Sequence, residues 1–161
     1  MLFNGIGKTN LLKTLEKPTL CLDFEAGLLS VQDWNGNVLA VQTWEEARDL
    51  ACLICGVSPA VRADKFYSKR HHEYCLKKYG FAEDLKRYKC IFIDSITVAS
   101  RLCLEYAKSM SDVVKTGKPK VGCHPDVRAA YGLMATEMLA WINHFQHLQG
   151  VDVISDSTYG E

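Results

Sequence analysis

The sequence predicts an α/β fold, in which a mostly parallel sheet is flanked by helices. Residues 19–25 and 89–95 are apolar runs that end in carboxylates, a pattern typical of buried parallel strands. A glycine-rich segment at residues 3–12 leads into a short helix, and longer amphipathic patterns follow later in the chain. This alternation favours a parallel sheet, because successive parallel strands need a crossover connection between them.

Helix-capping residues and a proline indicate where helices begin and end in the first half of the chain. The first helix is expected to end at residues 17–18, where proline prevents its continuation. A short strand is predicted over residues 38–41. Thr43 and Glu46 have the spacing of a capping box, which predicts that a helix over residues 44–55 begins directly after Thr43.

The second half of the chain predicts two more helices and a last strand. We expect a helix over residues 96–110, a loop over residues 111–125 and a strand over residues 151–154. The longest helical pattern covers residues 126–148, and its apolar stripe is predicted to pack on the sheet as part of the core. The stripe consists of Val127, Ala130, Tyr131, Met134, Met138, Trp141, Ile142, Phe145 and Leu148.

Composition limits the classes of protein to consider. The chain has 161 residues, of which 48% are hydrophobic and 24% charged, so we expect a single globular domain over residues 1–161. The formal net charge is zero, which gives no overall basic field for nucleic acid. Seven cysteines at irregular spacing favour reduced thiols in the cytoplasm, and no apolar run has the length of a membrane span.

Residues 58–88 form a polar and basic segment, which we predict to be a helical insertion in the domain. Its aromatic and basic side chains favour either a nucleic-acid surface or an ordinary solvated helix face, and the sequence leaves both open. The aromatic residues are Phe66, Tyr67, Tyr74, Tyr79 and Phe81. The basic residues include Arg62, Lys65, Lys69, Arg70, Lys77, Lys78, Lys86 and Arg87.

The glycine-rich segment has the chemistry of a phosphate-binding loop. Gly5 and Gly7 allow the backbone to curl so that its N–H groups face an anion. Lys8 would reach the β- and γ-phosphates of a nucleotide, and the Thr9 hydroxyl would ligate Mg²⁺. Leu2 stands where the full pattern has a glycine, so an ordinary turn before a helix stays open. The predicted nucleotide-binding residues are Asn4, Gly5, Ile6, Gly7, Lys8, Thr9 and Asn10.

Carboxylates follow both predicted buried strands. Asp23 and Glu25 end the first strand, and Asp94 ends the second. Ligands of open parallel sheets bind beyond the carboxyl ends of the strands, so these groups are expected near the phosphates of a nucleotide. Asp94 is predicted to bind Mg²⁺ or a water molecule of its hydration shell.

Taken together, these motifs resemble phage- and prophage-encoded ATP-binding proteins of the RecA-like, AAA-type class of P-loop NTPases. The resemblance covers nearly the whole chain. It rests on Gly5-Ile6-Gly7-Lys8-Thr9, Asp23-Phe24-Glu25-Ala26-Gly27, residues 91–99 and residues 126–133. Because no hydrophobic strand precedes the loop, we expect the first strand of this fold to be missing or shortened and the chain to be truncated at its start.

The resemblance implies a function and a site. It implies a three-layer fold that binds ATP and Mg²⁺, with Thr9 and Asp94 at the metal and Asp94 as the Walker B acid. Glu25 would then polarise the water that attacks the γ-phosphate. The implied setting is phage DNA metabolism in the cytoplasm of a bacterial host, in recombination or single-strand annealing. The implied partners are single-stranded DNA, a phage recombination protein or further copies of the chain.

Two other functions stay open. A protein that binds nucleotide without hydrolysing it, as a scaffold, would keep the loop and lose the chemistry. A small-molecule P-loop kinase would share the loop and Mg²⁺, with Arg62, Arg70 and Arg87 serving in a lid.

A zinc site is a third alternative, with Cys52, Cys55, His72 and Cys75 as ligands of suitable type. The cysteines at positions 52 and 55 also fit a buried apolar helix face. His144 and His147 are predicted to lie on the polar side of the long helix.

Overall fold

A computed structural model describes residues 12–15, 18–25, 34, 36–116 and 126–155 of the chain. Within this part, four strands form one sheet: β1 Thr19–Asp23, β2 Asn37–Ala40, β3 Cys90–Asp94 and β4 Asp152–Ser155. Their order across the sheet is β2-β1-β3-β4, and each neighbouring pair is parallel. With helices flanking this sheet, the predicted α/β fold class is confirmed.

The helices of the described residues are α1 Trp44–Cys55, α2 Lys69–Lys78, α3 Ala82–Leu85, α4 Ile96–Thr116 and α5 Val127–Gln146. The predicted capping box of α1 is present, with Thr43 Oγ1 accepting from Glu46 N–H and the Glu46 side chain accepting from Thr43 N–H. Ser68 and Asp126 cap α2 and α5 in the same way, through side-chain oxygens that accept backbone N–H groups. None of the described helices has the length and hydropathy needed to cross a bilayer.

The core lies mainly on one face of the sheet. Alternate side chains of β1 and β3 point to that face, where they meet α1, α4 and α5. Trp141 of α5 is fully buried there, edge-on to Phe24 and next to Trp44, and its indole N–H donates to Ala47 O at 3.0 Å. The opposite face carries a smaller cluster of Leu12, Cys21 and Phe92.

The predicted end of α4 at residue 110 is wrong, because the helix continues to Thr116. The expected loop over residues 111–125 is therefore helical over 111–116, and residues 117–125 lie outside the described part. Serine favours turns when its hydroxyl competes for the backbone, but here Ser109 Oγ donates at 2.7 Å to the carbonyl of Tyr106, three residues earlier. The Ser109 hydroxyl is satisfied within the helix, so this serine near the predicted end does not interrupt it.

Two predictions about α5 need correction. The helix packs mainly against α4 and α1 rather than directly on the sheet, and it reaches the strand layer through Trp141 and Phe24. Val127 and Tyr131 of the predicted stripe are exposed, because the first turns of α5 extend past the core.

The two histidines near the end of α5 differ in position. His144 was predicted on the polar side of the helix but is buried, and its ring stacks on Tyr67 with ring centroids 4.2 Å apart. His147 is exposed at the C-cap of α5, as predicted.

Candidate active site at the sheet edge

Two aspartates lie side by side at the carboxyl edge of the sheet. The register of β1 and β3 pairs Asp23 with Asp94, so the last residues of the two central strands are direct neighbours. The chain is held here by backbone hydrogen bonds, from Phe24 N–H to Asp94 O at 2.7 Å and from Val41 N–H to Asp23 O at 2.8 Å. The site is therefore built on the two central strands of the sheet, at the edge where such sheets bind ligands.

Glu25 joins this edge through Ser95. The Ser95 hydroxyl donates to Glu25 Oε1 at 2.8 Å, linking the segment after β1 to the residue after β3. Glu25 N–H in turn donates to Asp23 Oδ1 at 3.0 Å. Glu25 itself is exposed, whereas Ser95 is fully buried. The Glu25 carboxylate thus faces solvent from a fixed position close to the two buried aspartates.

The electrostatics of this edge favour a cation. Asp23 and Asp94 are both buried, and each is only 6% exposed. Burial raises the pKa of the Cys21 thiol, and the negative charges of Asp94 and Asp23 raise it further. The oxygens of two adjacent carboxylates are the ligands that Mg²⁺ takes in proteins, and a cation would offset their mutual repulsion.

The start of α4 adds a positive partial charge to the same edge. The helix begins at Ile96, directly after β3, and Val98 N–H donates to Ser95 Oγ at 3.4 Å. Helix N-termini stabilise anions, including phosphate groups, through their free N–H groups and dipole. The start of α4 therefore adds a positive partial charge beside the two aspartates.

The predicted site residues are only partly within the described chain. The structure places Asp94 at the tip of β3 and Glu25 within hydrogen-bonding distance of its neighbour Ser95. The predicted loop residues Asn4, Gly5, Ile6, Gly7, Lys8, Thr9 and Asn10 lie outside the described residues. Their position relative to Asp94 stays a prediction.

Sequence reasoning did not single out Ser95 as a site residue. The available signal was a small polar residue directly after the strand-ending aspartate, which is too common to identify a hydrogen bond. Its partner Glu25 is 70 positions earlier in the chain, so only the pairing of β1 with β3 brings the two together.

Many of the aromatic and basic side chains of residues 58–88 contact other side chains of the protein. Tyr67 is buried against His144, and the guanidinium of Arg48 lies 3.4 Å from the centre of the Phe66 ring. Lys78 and Lys86 pair with Asp49 and Glu83, each at 2.7 to 2.8 Å. Tyr74 stays exposed, and so do the basic residues Lys65, Lys69, Arg70, Lys77 and Arg87.

The fold and this edge define the class of protein. An all-parallel sheet with helices around it, and acidic residues at its central strand tips, is an α/β domain of the P-loop NTPase type. The family model of the AAA domain matches residues 3–157, and the chain belongs to that family. No curated protein and no solved structure gave a match.

Proposed function

We propose that this AAA domain binds ATP together with Mg²⁺ and hydrolyses it. The observation that carries the proposal is the pairing of Asp23 with Asp94 at the strand tips, with Glu25 held beside them by Ser95. Asp94 acts as the Walker B acid and binds Mg²⁺ directly or through water. Lys8 and Thr9, within the loop of residues 4–10, bind the phosphates and the metal.

Glu25 is the residue that orients the attacking water. It is exposed next to buried carboxylates, so its carboxylate can contact a water molecule without entering the metal site. The hydrogen bond from Ser95 to Oε1 holds the carboxylate in position, and this carboxylate would accept a proton from water. A general base must lie within hydrogen-bonding distance of the proton it removes, and a fixed carboxylate meets that requirement better than a mobile one.

We further propose a setting for this activity. The domain would act in phage DNA metabolism in a bacterial host, in recombination or single-strand annealing, as a homo-oligomer or with a phage recombination protein. The exposed Tyr74 and the exposed cations of residues 58–88, an insertion in the single domain, would contact single-stranded DNA. Aromatic stacking and phosphate neutralisation together are the usual basis of such binding.

Isothermal titration of the whole chain with ATP, in the presence and absence of Mg²⁺, tests the nucleotide site. We expect Mg²⁺-dependent binding that Lys8→Ala abolishes and Asp94→Asn weakens. Glu83→Gln is a matched control, because Glu83 is exposed on α3 and its carboxylate pairs with Lys86. Unchanged binding in Lys8→Ala would contradict the proposed loop, and no binding by the wild-type chain would contradict the proposed function.

Fluorescence anisotropy with a labelled single-stranded oligonucleotide tests the DNA partner. We expect binding that weakens with salt and loses about 1 to 3 kcal/mol in Tyr74→Ala, the usual effect of removing one stacking platform. Tyr131→Ala is the control, since Tyr131 has a similarly exposed ring on a different helix. Equal losses in the two variants, or none in either, would argue against residues 58–88 as the DNA surface.

A further inference from the structure

Helices α1 and α2 bring together a second cluster of chemically reactive side chains, remote in sequence from the acidic edge. Cys52 lies on α1, and His71 and Cys75 lie four residues apart on one face of α2. The two thiol sulfurs and a ring nitrogen of His71 all lie within 4.8 Å of one another. Among the described residues, this is the one group of three or more metal-binding side chains at such distances.

This set differs from the zinc ligands that the sequence indicated. Cys52 and Cys75 do come together, but the histidine between them is His71 rather than His72. Cys55 and His72 instead line a separate cavity of about 430 Å³ that neither Cys52 nor Cys75 borders. The reason is the helical period: residues at i and i+4 share a face, so His71 lies over Cys75 while His72 turns away.

The distances suit a small tetrahedral ion. Cys75 Sγ lies 3.5 Å from His71 Nε2. Zinc bonds of about 2.3 Å to sulfur and about 2.0 Å to nitrogen at a tetrahedral angle give a ligand separation of roughly 3.5 Å. Asp49 Oδ1, one turn before Cys52 on α1, lies 3.0 Å from the same Nε2. Asp49 is not part of the group within 4.8 Å, so its carboxylate would have to move toward the two sulfurs to supply a fourth ligand.

The surroundings support a closed, structural site. Cys52 and Cys75 are fully buried, and the side chain of His71 is only 9% exposed, so the three ligands are shielded from solvent as in a structural zinc site. The other oxygen of Asp49 accepts from Lys78 Nζ at 2.8 Å, and such outer contacts orient metal ligands. Zinc prefers thiolate and imidazole ligands, whereas Mg²⁺ prefers oxygen ligands.

We propose that Cys52, His71 and Cys75 bind one Zn²⁺ ion that fastens α2 to α1, and that Asp49 moves toward the ion to supply the fourth ligand. The ion would take the place of the ring proton that His71 Nε2 shares with Asp49 Oδ1. Both thiols lose their protons on binding. The role of the zinc ion is to hold residues 58–88 on the core, because the helices of this segment are short and polar.

Zinc binding has a local consequence at Tyr67. The Tyr67 N–H donates to His71 Nδ1 at 3.0 Å, which places the ring proton on Nε2. Coordination through Nε2 moves that proton to Nδ1, so the Tyr67 N–H has to turn away. The Tyr67 amide should shift and exchange faster in the zinc-bound protein.

The metal content of the whole chain, purified without chelator, tests the proposal. We expect about one equivalent of zinc by elemental analysis, as a closed site requires. After exchange with Co²⁺, we expect thiolate-to-cobalt charge-transfer absorption and strong visible bands typical of a tetrahedral ion. A wild-type chain that holds no zinc and gives no such spectrum with Co²⁺ overturns the proposal.

Matched substitutions identify the ligands. Cys52→Ser and His71→Gln should lose the cobalt spectrum, whereas Cys55→Ser and His72→Gln should keep it, because these neighbours line the other cavity. If Cys55→Ser and His72→Gln lose the metal while His71→Gln keeps it, the site is the one indicated by sequence and the proposed ligand set is wrong. If Cys52→Ser does not fold, the His71 and His72 pair decides the question, together with the Tyr67 amide in the wild-type protein.

Discussion

The sheet edge and the α1–α2 cluster are two polar sites of opposite character in one small domain. At the sheet edge, Asp23, Glu25 and Asp94 provide oxygen ligands at strand tips, and Glu25 is open to solvent. In the α1–α2 cluster, sulfur and nitrogen ligands are enclosed between helices. Access and ligand type therefore separate them: the open oxygen site suits a metal that arrives with its nucleotide, and the closed site suits a metal that stays.

Removing the carboxylate of Glu25 should have the largest effect, and only at the sheet edge. Glu25→Gln keeps the size of the side chain and an acceptor for Ser95, but it removes the base. We expect kcat for ATP hydrolysis to fall by about 10² to 10⁴ while ATP affinity stays close to that of the wild type. Steady-state hydrolysis with binding by titration measures both, and a parallel loss of binding would mean that Glu25 holds the nucleotide instead.

Removing one metal at a time should show that the sheet edge and the α1–α2 cluster bind different ions. Excess EDTA with brief exposure removes Mg²⁺ and should stop hydrolysis without lowering the melting temperature. A strong zinc chelator over longer times should lower the melting temperature by several degrees, because loss of about 1 to 2 kcal/mol corresponds to such a shift in a domain of this size. Differential scanning calorimetry in both conditions checks this, and identical responses would contradict the division into two sites.

A pH effect is expected on the helix side of the core, next to Tyr67. Burial lowers the pKa of His144 to about 4, and the charges of His147, His71 and His72 add to this, although a backbone hydrogen bond at Gly56 opposes it. The unfolded state binds the proton near pH 6.5, so stability from a neutral His144 is complete above that pH and declines as the pH falls toward 4. The loss should reach about 3 kcal/mol.

Urea unfolding between pH 7 and 4 measures this effect, with His144→Phe as the comparison. Phenylalanine keeps the stack on Tyr67 and cannot titrate, and His144 Nε2 has no hydrogen-bond partner in the described part of the chain. The variant should therefore show a shallower decline in the free energy of unfolding. An equally steep decline would assign the acid sensitivity to other groups.

Loss of the Ser95 hydroxyl should have a moderate effect on catalysis. Ser95→Ala removes the hydrogen bond to Glu25 Oε1 and leaves the carboxylate in place but less fixed. We expect kcat to fall about tenfold, equal to roughly 1.4 kcal/mol, with the KM for ATP unchanged. Ser95→Thr should restore most of the activity, since it retains a hydroxyl. A variant with unchanged kcat would show that Ser95 does not position Glu25.

The smallest effect is expected from relieving the charge of Asp23. Asp23→Asn keeps an oxygen that accepts from Glu25 N–H but removes one of two adjacent buried charges. Without Mg²⁺, the free energy of unfolding should rise by about 1 kcal/mol, because like charges destabilise each other. Denaturant titration with and without Mg²⁺ checks this, and a fall in metal-free stability would mean that other contacts of Asp23 outweigh the repulsion.

Much of the fold was predictable because it depends on local pattern. Both central strands, the capping box at Thr43 and the long helix α5 follow from runs and spacings of neighbouring residues. The end of α4 was not predicted correctly, because Ser109, next to the predicted end, satisfies its hydroxyl within the helix. Burial of His144 was also missed, since its partner Tyr67 belongs to a distant segment.

Local sequence features were sufficient to predict the parallel α/β class and the strand-ending carboxylates, because apolar runs and their flanking residues are neighbours in the chain. Which side chains meet in space depends on the tertiary structure. Strand pairing put Asp23 against Asp94 and Ser95 against Glu25. Helix packing selected His71 over the adjacent His72 as the neighbour of Cys52 and Cys75. Such contacts join residues far apart in the chain, and they depend on register and helix rotation, which one residue of displacement changes completely.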